Sequence, residues 1–209
     1  MNAADLTVVS PLLAAVATAI AILVVDLALP NRPTPVIFTA LAGLAITAVV
    51  TLIVGSGETA RAFSGMYRLD ALTSFLDLLF ISIIAMTIVF APDYLAPRGL
   101  PVAEFAVVLV FAMCGTFVIA ASADLLLMFI GLELMVLPGY LLAGYHKSDN
   151  FSTEGAIKYF LLGSFSSAIF LFGLAFTWGA TGTTSIAGVR DALSQAVAGA
   201  TGQTGRSRS

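Results

Sequence analysis

Six long apolar runs, broken by short polar or proline-rich segments, constrain this chain more than any other feature. They fall at roughly 7–29, 36–54, 71–91, 104–121, 124–145 and 155–178. A helix crosses the hydrocarbon core of a bilayer with about 20 mostly apolar residues. Backbone inside lipid must satisfy its own hydrogen bonds, and continuous runs that do not alternate do so as helices rather than as barrel strands. The expected fold is an all-α polytopic membrane helix bundle with about six transmembrane helices. Composition agrees: 10% of the residues are charged and 59% hydrophobic, against about 25% charged in an ordinary soluble domain.

The breaks carry recognisable chemistry. "PNRPTP" (30–35) is a proline-rich turn, "GSGETARAFSGMYRLD" (55–70) the longest polar connection, and "HKSDNFSTE" (146–154) the most polar loop. "PDYLAPRGLP" (92–101) ends the third run with three prolines. "ASAD" (121–124) is so short that the fourth and fifth helices must be antiparallel neighbours. Asp124 is placed to cap the fifth helix, and Ser152 or Thr153 the sixth. Alternate loops put Arg32, Arg98 and Lys147 on one side of the membrane and Arg61 and Arg68 on the other, a slight bias under the positive-inside rule. The opening "MNAADLTVVSPLL" lacks the basic start and small-residue cleavage site of a secretory signal, so the first run reads as a retained helix. Beyond Trp178, "TGTTSIAGVRDALSQAVAGA" fits a short amphipathic helix with Ile186, Val189, Leu193 and Val197 on one stripe. The final "TGQTGRSRS" reads as a frayed tail. The chain divides into residues 1–70, with two helices and a loop, 71–180, with four helices, and a tail from 181 to 209.

Several function classes drop out. A net charge of −3 without clustering leaves no nucleic-acid footprint. The single cysteine, Cys114, has no His or Cys nearby, and the single histidine, His146, has no second ligand at metal spacing. No metal site is expected, and neither a glycine-rich dinucleotide fingerprint nor a Walker loop is present.

What remains is charge inside the apolar runs. Glu133 lies nine residues after Asp124, roughly 13–14 Å into its helix and so near mid-membrane. An ionised carboxylate there costs at least ~2.5–3.5 kcal/mol, and intramembrane acids usually mark ion or proton pathways. A carboxyl in low dielectric favours its neutral form, which suits a group that accepts and releases protons near neutral pH. Its helical neighbours offer no counter-charge, so partners must come from other helices, water or a proton. A protonated acid that merely packs is the alternative. Pro138 weakens the ladder beyond the glutamate, and Gly131 allows another helix to come close. Lys158 lies one turn into the sixth run, four residues after Glu154. It reads as an interfacial ion pair or as a proton-relay lysine. With antiparallel helices Glu133 and Lys158 are offset by about 12 Å, too far for direct contact. Gly163 and Ser167 form a small-residue face and Ser164 and Ser166 add hydroxyls, more typical of packing than of a proton wire. Asp77 is a further buried-acid candidate, and Asp26 reads as interfacial.

"ADLLLMFIGLELMVLPGYLLAGY" followed by "EGAIKYFLLGSFSSAIFLFGLAFTWGATGTTSI" resembles the subunit N family, antiporter-like membrane subunits of bacterial proton-translocating NADH:quinone oxidoreductase (complex I). The resemblance spans most of residues 65–190. It rests on the acid of "GLEL" with Pro138, on "KYFLLGS" and on "WGATGT". It implies a multi-pass protein of the bacterial plasma membrane that works beside other complex I membrane subunits in lipid. It also implies no cofactor in this chain, with NADH, FMN, iron–sulfur clusters and quinone held by partner subunits. Glu133 and Lys158 match the family's proton-translocating glutamate and lysine. Family members are more than twice as long and carry a lysine on a broken seventh helix that has no counterpart here. The resemblance therefore implies part of one proton half-pathway, insufficient for translocation alone. A subunit of a monovalent cation/proton antiporter and a non-catalytic membrane fragment are the alternatives.

Overall fold

The structure, a computed structural model, describes residues 3–30, 32–57 and 59–206. Six of its helices are long and apolar enough to cross a membrane. They are α2 (Ser10–Ala28), α3 (Pro33–Gly55), α4 (Ala71–Leu95), α5 (Val102–Ala121), α6 (Leu125–Ala143) and α7 (Asn150–Thr181). A short α1 (Ala3–Val8) precedes them and α8 (Ile186–Arg206) follows. All six runs read from the sequence are helices. The first is divided, because a fresh helix opens at Ser10 with Pro11 in its first turn, where its missing N–H is harmless.

α5 is the central helix. Its Ala106, Val110, Met113 and Phe117 are fully buried among Ala19 and Ile22 of α2, Ala40 and Leu44 of α3, and Ile81 and Ile88 of α4. The short turn between α5 and α6 makes them antiparallel neighbours, as its length requires, and Asp124 caps α6 by accepting from Leu126 N at 2.9 Å. Gly131 faces α5 so closely that a β-carbon there would meet Ile119 N at 2.9 Å. The close approach expected of this glycine is therefore present. α7 packs chiefly on α6, and none of its residues is buried.

Three local features differ from the sequence reading. The 55–70 connection contains an antiparallel hairpin, β1 (Ala60–Ala62) with β2 (Tyr67–Leu69), turned by Phe63–Gly65. Ala62, Tyr67 and Leu69 are buried against Val8, Val9 and Ala121. Three-residue strands are too short to announce themselves by alternation. At α7 the cap is Asp149, whose carboxylate accepts from Phe151 N at 3.3 Å and Ser152 N at 3.2 Å. Ser152 instead donates to Ala143 O at 2.8 Å, tying the start of α7 to the end of α6. The amphipathic helix expected after Trp178 exists, and as α8 it runs on to Arg206, through part of the stretch read as frayed. Residues 207–209 of that stretch lie outside the described residues.

Opposite ends of α6 and α7 are joined differently. At the α6 N-terminus, Asp124 is 4% exposed and its second oxygen accepts from Thr184 Oγ1 at 2.7 Å. Leu125 N donates to Thr184 O at 2.9 Å, Ile186 N to Ala123 O at 3.1 Å, and Ala123 N to Met66 O at 2.8 Å. The hairpin, the α5–α6 turn and the segment after α7 thus form one hydrogen-bonded clasp.

Candidate functional site

Glu133 projects from α6 toward α7, where Ser167 Oγ donates to its Oε1. This hydrogen bond is the lateral partner that the α6 sequence could not supply. Ser167 sits on the half-buried stripe of α7, with Ala156, Gly163, Phe170 and Leu174. That spacing of three, four and seven residues turns one helix face toward α6. Around the pair lies a cavity of about 310 Å³ that Val136, Tyr140, Tyr159, Gly163 and Ser166 help to line. It has room for several water molecules. Beside the acid, Phe129 of α6 stacks on Phe170 of α7 with ring centroids 5.8 Å apart.

Tyr140 adds a further polar group to the cavity. Its hydroxyl is buried and has no hydrogen-bond partner among the described residues. The ring meets Tyr159 edge-on at 4.9 Å and Phe160 at 5.4 Å. Gly163 is what admits it, since a β-carbon on that residue would lie 1.8 Å from the Tyr140 hydroxyl oxygen. Sequence reasoning passed over Tyr140. The signal was available in its position seven residues after Glu133, which puts both on one face of α6. Pro138, buried in α6 between them, removes one N–H from the ladder at this level.

Lys158 is elsewhere. It lies nine residues before Ser167 on α7, roughly 13–14 Å along the helix axis, and does not line the cavity. Its ammonium pairs with Glu154 at 2.5 Å, and both side chains are more than half exposed. The structure therefore brings Glu133 together with Ser167 and not with Lys158. Ser166 also lines the cavity, but its hydroxyl bonds back to Leu162 O of its own helix at 3.0 Å.

The other acids divide in two. Asp77 of α4 is fully buried, and neither carboxylate oxygen has a hydrogen-bond partner among the described residues. Asp26 lies in the last turn of α2, half-buried beside a surface cavity that Arg32 also lines. Asp70 caps α4 outside the membrane span, accepting from Thr73 N at 2.9 Å and pairing with Arg68 at 2.9 Å. The Thr73 amide, helped by its hydroxyl and by Arg68, holds this carboxyl below the usual aspartate value of 3.8. Among the described residues, no group of three or more His, Cys, Asp or Glu is placed to hold a metal ion.

Known proteins resemble this chain in sequence and in fold. Residues 122–205 match the family described as NADH:quinone oxidoreductase/Mrp antiporter, transmembrane. NADH-quinone oxidoreductase subunit N 2 of Roseiflexus castenholzii is 35% identical over 175 residues, covering 83% of this chain and 35% of that protein. Subunit N of Xanthomonas euvesicatoria is 33% identical over 195 residues, covering 92% of this chain and 40% of that protein. The chain thus spans well under half the length of these relatives. Among solved structures, respiratory complex I from Thermus thermophilus contains a chain that is 30% identical, with a TM-score of 0.67 over 84% of this chain and 38% of that one. An archaeal membrane-bound sulfane sulfur reductase shares the fold at 18% identity, with a TM-score of 0.66.

Proposed function

This chain belongs to the antiporter-like membrane-subunit family that includes subunit N of NADH-quinone oxidoreductase, and on that premise we propose that it serves a proton-translocating NADH:quinone oxidoreductase as a membrane subunit. In this reading, Glu133 takes up and releases protons when electrons pass from NADH to quinone elsewhere in the assembly. NADH, FMN, iron–sulfur clusters and quinone belong to partner subunits, and the neighbours of this chain are other membrane subunits of the complex and lipid. The site of action is the bacterial plasma membrane.

The observation that carries the reading is the Glu133 carboxyl, held by Ser167 across the α6–α7 contact and open to a cavity large enough for water. A hydroxyl partner steadies the carboxyl without fixing its charge, as an arginine or lysine partner would. Such a group can exchange a proton with water in the cavity. Lys158, on the open face of α7 with Glu154, is proposed as the second group of the pathway, communicating through water and not by contact.

The family description also covers Mrp antiporters. The named relatives, at 33–35% identity over 83–92% of this chain, are oxidoreductase subunits, and the oxidoreductase reading is therefore preferred. The test is Glu133→Gln in membranes containing the assembled enzyme, with proton pumping driven by NADH. A several-fold loss of pumping with assembly intact supports the proposal, and unchanged pumping refutes it.

A further inference from the structure

At the clasp end of the bundle three arginines converge on one hollow. Arg61 and Arg68 stand directly opposite each other in the β1–β2 pair, an arrangement that is destabilising for like charges without something between them. Both are exposed on the same face of the hairpin. Arg190 joins them from the second turn of α8. All three side chains line one cavity of about 320 Å³, together with Ser122, Ser185 and Ile186. Arg68 pairs with Asp70 and Arg190 with Asp191, whereas Arg61 has no carboxylate partner among the described residues. The Ser122 hydroxyl oxygen is buried and makes no hydrogen bond among the described residues. Three guanidinium groups and an orphan hydroxyl facing one hollow form a donor set suited to a tetrahedral oxyanion.

Its level in the molecule narrows the source of that anion. The cavity lies where α5 ends at Ala121, α6 begins at Leu125 and α7 ends at Thr181, the depth of lipid headgroups for helices that cross the bilayer. α8 leads away from it with Ile186, Leu193 and Val197 exposed at 44%, 56% and 67%. An amphipathic helix with such a stripe lies in the membrane interface with that stripe toward the acyl chains. We propose that this cavity binds the phosphate of an anionic phospholipid headgroup, gripped by Arg61, Arg68 and Arg190 with Ser122 as an additional donor. The bound lipid would relieve the arginine repulsion and fasten the hairpin and α8 to the membrane surface. This inference is independent of the role given to Glu133.

The full chain in detergent, titrated with phosphatidylglycerol, phosphatidylcholine or inorganic phosphate and read by native mass spectrometry, tests it. Phosphatidylglycerol is expected to bind selectively over phosphatidylcholine. The triple variant Arg61→Gln, Arg68→Gln, Arg190→Gln should weaken it roughly 100-fold, because each basic residue near an anionic surface contributes about a factor of five. Ser122→Val keeps every arginine but removes the orphan hydroxyl, and it should also weaken binding. Arg32→Gln with Arg98→Gln, at the other end of the bundle, should not. Equal affinity for both lipids overturns the proposal, as does binding that survives Ser122→Val and is lost only with charge. Binding of inorganic phosphate with no selective lipid binding overturns the lipid assignment. Thermal melting of each variant identifies any that fails to fold, and the Ser122→Val result then decides.

Discussion

At Glu133 one hydroxyl decides how the carboxyl is held. Ser167 donates across the helix pair, while its neighbour Ser166 spends its proton on its own helix. Ser167→Ala should therefore cost about 1 kcal/mol of stability, and Ser166→Ala close to nothing; thermal melting in detergent separates them. The glutamate was legible in the sequence because a lone acid in a long apolar run is expensive and therefore meaningful. Its partner was not, because four small or hydroxyl residues in "GSFSS" look alike until the facing helix is known. Asp77 is the contrary case. It is fully buried with both oxygens unpartnered among the described residues. Removing orphan polar atoms for an apolar group of similar shape recovers about 1–3 kcal/mol. Asp77→Val should raise the melting temperature, and a drop would show that the carboxyl makes a stabilising contact with water or a partner.

Helix positions were readable to within a few residues because bilayer thickness sets a length that composition reveals. The ends were read less well where two signals compete. α4 continues through Pro92 to Leu95, and the 3₁₀ turn after it ends at Gly99, whose positive φ closes the segment. α7 begins at Asn150, capped by Asp149, because the earlier of several possible caps satisfies its amides. The hairpin was hidden in a polar loop, since only its buried face of Ala62, Tyr67 and Leu69 distinguishes it. Caps also give the pH dependence. Asp70 holds its carboxyl below 3.8 chiefly through the Thr73 amide. A lowered folded-state value stabilises the protein above the unfolded value, and that contribution disappears as pH falls through the folded one. Asp70→Ala should cost about 1 kcal/mol near neutral pH. The difference from the native chain should shrink in melting experiments taken below pH 3.8.

On the scale of the whole molecule, the buried core is gathered around α5, while α7 stands at the edge with one face on α6. Leu161, Phe165, Phe172 and Trp178 are exposed along its outer surface. The Glu133 cavity lies at this edge, between the last two spanning helices. The sequence indicated a membrane bundle with a buried acid but not this eccentric placement, which depends on how the six helices choose neighbours. A carboxyl at the rim of the bundle is reachable by water and by further helices. The decisive measurement is infrared titration of the protein in membranes, comparing the native chain with Glu133→Gln. The account predicts a carboxyl band that gains and loses intensity across the pH range in which the assembled enzyme works, and that is absent from the glutamine variant. A Glu133 band that stays constant over that range would contradict it.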